Sequence, residues 1–326
     1  MRFGIISTAG IARKTLIPAI ERSPHEVTAI ASRHGDRATA VAEDLDIPNA
    51  YGSYETMFED APIDAVYNPL PNGLHAEWSK RAADAGLDVL CEKPIAEDAD
   101  QAAEMFEYCA DRDVTLMEAF MYRFHPRTER AAEIVQNELG EVRGGSATFT
   151  FRLDDLEDIR LDPDLAGGSL MDLGCYTVSA MRLFLGEPER VYARSVDTRD
   201  SGVDTQLTSV LEFESGATAR MHCGFDTPFV ESYRVETEDG WLEAENVFGA
   251  DPDQTVSIEY GTDGRRTTEE FDPVDPYQRE VEHFADAVEA GETPRIDDVE
   301  SLRNMAVIDA LYESAELGEV VTVESY

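Results

Sequence analysis

The chain has 326 residues, of which 42% are hydrophobic and 9% aromatic, a composition typical of a folded protein and not of a disordered one. Because one hydrophobic core seldom serves so long a chain, we expect two domains, over residues 1–120 and 121–326, with the last helix able to pack back on the first domain. The formal charge of −41 argues against nucleic acid or an anionic membrane surface as a partner, since both are negatively charged.

The negative charge is spread along the whole chain rather than gathered in a tail, with 68 Asp and Glu against 27 Lys and Arg. A field of this size is screened in molar salt, where the Debye length falls to about 3 Å. We therefore infer a halophilic source for the sequence.

The four cysteines, Cys91, Cys109, Cys175 and Cys223, form no C-x-x-C pair and show no spacing typical of metal ligands. The N-terminus carries no secretory signal, and no stretch reaches the roughly 18 apolar residues that a membrane span needs. These features predict a cytoplasmic protein without a metal site and without a membrane partner.

The first 120 residues alternate short apolar runs with helical patterns, which is typical of an α/β domain. The predicted strands cover residues 1–7, 27–32, 65–69, 89–91 and 114–118. Strands separated by helices form a parallel sheet with right-handed crossovers, so we predict a doubly wound Rossmann sheet.

From about residue 144 the pattern changes to strands separated by Gly, Asp and Ser turns. The predicted strands cover residues 145–153, 190–196, 206–213, 217–224, 233–237, 240–244, 256–260 and 267–271, and the predicted helices cover residues 169–185, 277–290 and 299–317. We expect an α+β domain with a large, mostly antiparallel, open sheet. Helices covering one face would leave the other face to water or to a second subunit.

Residues 4–12 (GIISTAGIA) lie where the first strand ends and a helix begins, the place of a dinucleotide-binding turn. Small residues there let the backbone approach a pyrophosphate at the helix N-terminus. The predicted cofactor contacts are Ser7, Thr8, Ala9, Gly10 and Ile11. An ordinary turn of small residues without a ligand is the alternative.

Ser32, Arg33 and Arg37 follow the second predicted strand. An acidic residue at this point binds the ribose 2′-hydroxyl of NAD, whereas a hydroxyl and a guanidinium suit the 2′-phosphate of NADP. The sequence therefore favours NADP, with NAD and an ordinary solvated arginine as the open alternatives.

Two further loops follow the third and fourth predicted strands, at the edge where open α/β sheets bind ligands. They supply the predicted cofactor contacts Pro69, Asn72, His75, Glu92 and Lys93. Lys93 is one of only three lysines, and lysine offers a compact, titratable ammonium that arginine does not. For His75, a histidine satisfied by backbone groups is the alternative to a role in the site.

Three short segments of the sequence together resemble a known family. They are Glu92-Lys93-Pro94, residues 118–126 (EAFMYRFHP) and residues 167–176 (GGSLMDLGCY). In this order and spacing they are similar to the glucose-fructose oxidoreductase and inositol dehydrogenase family, and the resemblance covers essentially the whole chain. Within the family the sequence most resembles the branch of NADP-dependent D-xylose dehydrogenases and dimeric dihydrodiol dehydrogenases, which carry tyrosine where inositol dehydrogenases carry histidine.

The sequence departs from the family pattern at the phosphate turn, where Ser7 and Ala9 replace the usual first two glycines. Both residues are small, so we expect dinucleotide binding to survive with altered contacts.

The resemblance implies catalytic roles for Lys93, Asp172 and Tyr176. Asp172 and Tyr176 are four residues apart on a predicted helix, so they share one face. Tyr176 would accept the proton of a sugar hydroxyl as hydride leaves the same carbon, and the ammonium of Lys93 would favour the phenolate. Asp172 would orient the sugar hydroxyls or the lysine. Arg123 and His125 are further predicted contacts of the sugar or the cofactor. A half-buried aromatic residue without a chemical role is the alternative for Tyr176.

The expected function is NADP-dependent oxidation of an aldose such as D-xylose or D-glucose at C1 to its lactone. The same site could instead reduce a ketose or anhydro-sugar with NADPH, or oxidise a dihydrodiol. A dinucleotide-binding regulator without enzymatic activity is the alternative from another class. The resemblance also implies a homodimer or homotetramer joined through the open sheet face.

Overall fold

The structure is a computed structural model that describes residues 1–249, 252–262 and 264–326. The chain divides into two compact units. The first comprises Met1–Met121 and Tyr277–Ser301, and the second comprises Tyr122–Pro276 and Leu302–Tyr326. Within the described ranges, every helix is too short or too polar to cross a lipid bilayer.

The first unit is built on a six-stranded parallel sheet. Its strands are β1 (Arg2–Ile6), β2 (Glu26–Ala31), β3 (Asn49–Tyr51), β4 (Ala65–Asn68), β5 (Asp88–Glu92) and β6 (Leu116–Ala119). The order β3-β2-β1-β4-β5-β6 with parallel neighbours confirms the predicted doubly wound sheet. The order reverses beside β1, and ligands of such sheets bind at this switch point. Strand β3 was not predicted, because its three residues contain no apolar run.

Nine α-helices lie in the described ranges. They are α1 (Ile17–Arg22), α2 (Gly35–Asp44), α3 (Tyr54–Asp60), α4 (His75–Asp84), α5 (Ala99–Ala110), α6 (Pro126–Asn137), α7 (Cys175–Leu185), α8 (Pro276–Ala290) and α9 (Asp298–Leu317). Apolar strand residues such as Phe3 and Val66 are fully buried, because helices cover both faces of a parallel sheet. Phe3 packs against Phe284 of α8 with a ring-centroid distance of 6.2 Å, so α8 belongs to the core of the first unit although it comes late in the sequence.

The second unit is built on a nine-stranded sheet. Its strands are β7 (Val142–Thr150), β8 (Pro188–Val196), β9 (Gln206–Phe213), β10 (Thr218–Gly224), β11 (Val230–Thr237), β12 (Gly240–Glu245), β13 (Val256–Thr262), β14 (Arg265–Phe271) and β15 (Val321–Thr322). The order is β14-β13-β12-β11-β7-β10-β9-β8-β15, antiparallel except for β7 and β10. The predicted, mostly antiparallel sheet is confirmed, and only the two-residue β15 was missed.

The two faces of the second sheet differ in what covers them. Helix α7 lies on one face: a Cβ added at Gly145 would be 3.1 Å from Met181 Sδ and 3.2 Å from Leu185 Cδ1. The glycine therefore allows the helix to lie close to the strand. Tyr192 and Val210, which pair across β8 and β9 and point to the other face, are 37% and 38% exposed. This second face is open in the described structure.

Candidate active site

The predicted phosphate turn follows β1. Ser7 has a φ of 89°, in the left-handed region that favours glycine, which is the residue of the family pattern at this position. Its Oγ accepts a hydrogen bond from Ala9 N at 3.0 Å, which helps to stabilise the uncommon backbone conformation. Thr8 and Ile11 are half-buried in the same turn.

Helical backbone begins at Gly10 and continues through a π-helical turn, Ala12–Leu16, into α1. Among the described residues, no atom outside its chain neighbours and its own helix lies within 4 Å of a Cβ built on Gly10. The turn is therefore open at its helix N-terminus, where unpaired N–H groups and the helix dipole suit a phosphate.

Arg33 follows β2 and Arg37 lies in the first turn of α2, and both are exposed. Neither forms a salt bridge with any residue that the structure describes, in a chain with 68 acidic residues. Burial raises the pKa of Tyr54, while the charge of Arg33 and a hydrogen bond with it act to lower that pKa, which places Arg33 beside the phenol. Ser32 is buried, and its Oγ accepts from His34 N at 3.2 Å. Two cations thus remain available where a 2′-phosphate is expected.

His75 is fully buried, with Nε2 2.7 Å from Leu70 O and Nδ1 2.9 Å from Pro94 O. Burial lowers the pKa of His75 to about 4, so the ring is neutral near pH 7. A neutral ring has one N–H and so donates to one of these two carbonyl oxygens, which supports the alternative of a histidine held by backbone groups. The ring connects the loop after β4, which holds the buried Pro69 and half-buried Asn72, to the loop after β5.

The loop after β5 carries Lys93, which is half-buried. Glu92 precedes it and accepts hydrogen bonds from Tyr67 Oη (2.5 Å) and Lys93 N (3.3 Å). Glu118 is fully buried and accepts from Ile95 N at 2.9 Å. Two carboxylates therefore fix the backbone on either side of Lys93.

In the second unit, Asp172 and Tyr176 lie on one continuous helix, as predicted, but its first turn, Leu170–Gly174, is π-helical and only then does α7 begin. The helix is anchored at its start by Asp204, which is 8% exposed. Its carboxylate accepts from Ser169 Oγ (2.6 Å), Leu170 N (2.8 Å) and Tyr312 Oη (2.9 Å). The buried carboxylate thereby caps the N-terminus of the helix.

Asp172 is paired with Arg160, whose Nε donates to Asp172 Oδ2 at 2.7 Å. The side chain of Asp172 is 16% exposed. Asp172 was predicted from the sequence but Arg160 was not, although Arg160 is the only basic residue among residues 154–164.

Tyr176 is 6% exposed and lies among aromatic rings. Its ring centroid is 5.8 Å from that of Tyr122 and 5.5 Å from those of Phe149 and Phe248. An aromatic cluster of this kind excludes water from the ring, and it makes ionisation of the phenol costly unless a cation is near.

Arg123 and His125 take different places. Arg123 is half-buried, with Nη1 3.5 Å from Ser179 Oγ. His125 Nδ1 accepts from Arg127 N at 3.0 Å and so caps α6. His125 also lines a cavity of about 160 Å³ in the second unit. Its other lining residues are Arg127, Phe229, Glu231, Asn246, Gly249, Gln254, Val256 and Val274.

Comparison with protein families gives two matches that together cover most of the chain. Residues 1–120 match an oxidoreductase family with an NAD-binding Rossmann fold, and residues 128–243 match the GFO/IDH/MocA C-terminal domain. The family resemblance seen in the sequence is thereby confirmed.

Similar proteins extend over the whole chain. D-xylose 1-dehydrogenase (NADP(+)) 2 of Haloferax volcanii is 61% identical over 325 residues, which are 99% of this chain and 100% of that protein. The source of this relative agrees with the halophilic source inferred from the charge.

Two solved structures are also similar. A 3-ketoreductase of Actinomadura kijaniata in complex with NADP and TDP-benzene is 34% identical with a TM-score of 0.92, covering 96% of this chain and 97% of the other. An aldose-aldose oxidoreductase of Caulobacter crescentus complexed with glycerol is 28% identical with a TM-score of 0.91, covering 99% of each chain. Two models of one family match residues 1–120 and 128–243, and relatives are similar over the whole length of the chain. This chain therefore belongs to the GFO/IDH/MocA family of oxidoreductases.

Proposed function

We propose that this protein is an NADP-dependent aldose 1-dehydrogenase that oxidises a sugar such as D-xylose at C1 to the lactone. The observation that carries the proposal is the 61% identity, over 99% of the chain, to an NADP-dependent D-xylose 1-dehydrogenase. In this proposal the first unit binds the cofactor and the second binds the sugar.

The residues of the first unit fit NADP. The open turn at Ser7, Thr8, Ala9, Gly10 and Ile11 would hold the pyrophosphate through backbone N–H groups. Ser32, Arg33 and Arg37 would hold the 2′-phosphate, for which neither arginine has a competing salt bridge among the described residues. Pro69, Asn72, Glu92 and Lys93 would be further cofactor contacts, with His75 holding their loops together. When bound, NADP⁺ accepts the hydride from C1.

The residues of the second unit would bind the sugar and take its proton. As the C1–H bond breaks, the C1 hydroxyl becomes the lactone carbonyl and loses its proton to Tyr176. A phenolate within an aromatic cluster is costly, so the proposal assigns the ammonium of Lys93 to stabilise it. Asp172 would accept hydrogen bonds from sugar hydroxyls, with Arg123 and His125 as further contacts.

The variants Tyr176→Phe and Lys93→Met test these roles. We expect each to lower kcat by about 10²- to 10⁴-fold, the usual contribution of a general base, while NADPH binding followed by fluorescence changes little for Tyr176→Phe. Tyr233→Phe is the matched control. Tyr233 is buried in the same unit, and its hydroxyl has no hydrogen-bond partner among the described residues, so its loss should leave kcat near that of the wild type. Turnover by Tyr176→Phe near the wild-type rate would refute the assignment of the base.

A second candidate is reduction of a keto sugar with NADPH. It is favoured by the 34% identity, over 96% of the chain, to the 3-ketoreductase. Tyr176 would then donate the proton that it accepts in the oxidation. Initial rates in both directions, with aldoses and NADP⁺ or with keto sugars and NADPH, distinguish the two.

The proposal extends to the assembly and location of the protein. We propose a homodimer or homotetramer through the open face of the second sheet, where Tyr192 and Val210 are exposed. Sedimentation of the wild type and of Val210→Glu at high salt tests this assembly. The variant should sediment as a species with fewer subunits than the wild type. A monomeric wild type would refute the proposed assembly. The four cysteines are buried and form no disulfide bond with one another, which favours a cytoplasmic location.

A further inference from the structure

Arg160 lies between two carboxylates of the second unit. Its Nε donates to Asp172 Oδ2 at 2.7 Å, and its Nη1 is 3.3 Å and 3.4 Å from the two carboxylate oxygens of Asp158. The guanidinium has five N–H donors in a fixed plane, so these contacts fix its orientation.

One edge of this guanidinium remains available. Nη2 has no hydrogen-bond acceptor in the part of the chain that the structure describes, and the side chain of Arg160 is 41% exposed. An open donor therefore lies beside the carboxylate of Asp172. A donor and an acceptor side by side match a sugar hydroxyl, which both accepts and donates.

The backbone holds Arg160 against the helix that carries Asp172. Arg160 O accepts from Gly168 N at 2.9 Å, and a Cβ added at Gly167 would be only 2.5 Å from Arg160 O. Asp158 Oδ1 accepts from Arg160 N at 2.9 Å and so caps the short 3₁₀ turn Ile159–Leu161. The side chain is thus fixed before any ligand binds, and such preorganisation lowers the entropic cost of binding.

Arg160 favours ionisation of the Asp172 carboxylate in a locally acidic part of the chain. Residues 154–164 contain six acidic residues, Asp154, Asp155, Glu157, Asp158, Asp162 and Asp164. Arg160 is the only basic residue within this segment, and Arg152 lies two residues before it. The charge of Asp172 raises the pKa of Arg160 above its ordinary value. By the same interaction Arg160 favours the ionised form of Asp172, and without it the carboxylates would repel one another.

We propose that Arg160 is a substrate-positioning residue: it orients Asp172, and its Nη2 donates to the hydroxyl oxygen that Asp172 engages on the sugar. This inference rests on the proposed function, because it assumes that Asp172 faces a sugar. It names a specificity determinant for neutral polyhydroxylated substrates.

The test compares Arg160→Gln and Arg160→Lys with the wild type. For Arg160→Gln we expect the KM for the aldose to rise about 10- to 100-fold, the usual effect of losing a charged hydrogen bond, with the KM for NADP within about twofold. The acid limb of the pH profile of kcat/KM should move to higher pH, because Asp172 protonates more readily without its cation. Arg160→Lys keeps the charge and should restore the pH profile but not the KM.

Arg143→Gln is the matched control for loss of one positive charge. Arg143 pairs with Glu141 and Glu238 at the surface of the same unit, so its loss should change neither KM nor the pH profile. An unchanged KM for Arg160→Gln, or a lower kcat at every pH without a shift of the profile, would overturn the proposal.

Sugar binding to the enzyme–NADPH complex, measured by fluorescence without turnover, separates this inference from the proposed function. Wild type and Arg160→Gln binding the sugar equally would overturn only the inference about Arg160. A wild type that binds no sugar would overturn both.

Discussion

The phenol oxygen of Tyr67 lies 2.5 Å from Oε1 of Glu92, the residue before Lys93 in the chain. Tyr67 is fully buried, and burial together with the charge of Glu92 holds its pKa well above the ordinary value. The neutral phenol therefore acts as a permanent donor to Glu92. This hydrogen bond connects the core of the first unit to the loop that presents Lys93.

Replacement of Tyr67 by Phe removes that donor and leaves the carboxylate of Glu92 less well satisfied. We expect the free energy of unfolding to fall by about 1–3 kcal/mol, because the variant loses a hydrogen bond from a buried phenol to a charged carboxylate. Chemical denaturation at fixed salt measures the change. Tyr108→Phe is the control, because Tyr108 Oη donates to Asp84 at 2.9 Å in an exposed setting and its loss should cost about 0.5 kcal/mol or less. Equal losses for the two variants would show that the Tyr67 hydrogen bond has no special role.

Arg33→Ala should weaken NADP selectively. The variant lacks a guanidinium for the 2′-phosphate, so we expect the KM for NADP to rise about 10- to 100-fold while the KM for NAD changes little. Arg112→Ala, which removes an arginine paired with Asp84 in the same unit, should leave both values unchanged. Comparable losses with NADP and NAD in Arg33→Ala would place the arginine outside the 2′-phosphate site.

His75 predicts a pH dependence of stability. Its pKa is about 4 in the folded chain and about 6.5 when exposed, so the unfolded chain binds more protons between these values. Stability from the neutral ring is present above about pH 6.5 and is lost as the pH falls towards 4, by about 3 kcal/mol at most. In His75→Gln this part of the pH dependence should disappear.

Ser79→Ala is the control for His75→Gln. It removes the 3.1 Å hydrogen bond from Asn68 in the same region without removing a titrating group. It should therefore lower the free energy of unfolding by a similar amount at pH 7 and pH 4. The same slope between pH 4 and pH 7 in the wild type and in His75→Gln would contradict the account.

Gly168→Ala should displace the helix of Asp172 and Tyr176. Gly168 has a φ of 123°, and an added Cβ would overlap Asp204 Oδ1 and lie 2.9 Å from Tyr312 Oη. Gly186→Ala is the matched control, because its φ is 86° but, chain neighbours aside, no atom of the residues that the structure describes lies within 4 Å of the added Cβ. The cost of positive φ, about 1–2 kcal/mol, should appear in both variants, with a further loss of stability and a lower kcat only in Gly168→Ala. Equal effects would mean that the overlap is relieved without displacing the helix.

Features encoded in short stretches of sequence could be predicted, and features made by distant residues could not. Apolar runs alternating with helices were enough for the parallel order around β1, whereas the three residues of β3 carry no pattern. Asp172 and Tyr176 were predicted from one segment, residues 167–176, that resembles the family. The carboxylate that caps their helix, Asp204, is 35 residues from Ser169, and no local signal marks it. For His75 the sequence left two alternatives, a role in the site and a ring held by backbone groups. Only the carbonyl oxygens of Leu70 and Pro94, which lie beside the folded ring, favour the second.

The most direct test of the proposed function is the initial rate of NADP⁺ and NAD⁺ reduction with aldoses, polyols and trans-dihydrodiols, in about 2 M KCl to screen the acidic surface. We expect turnover of at least one aldose, with D-xylose the first candidate, and a higher kcat/KM with NADP⁺ than with NAD⁺. Failure of every aldose to reduce NADP⁺, by a protein that still binds NADPH, would contradict the proposed function.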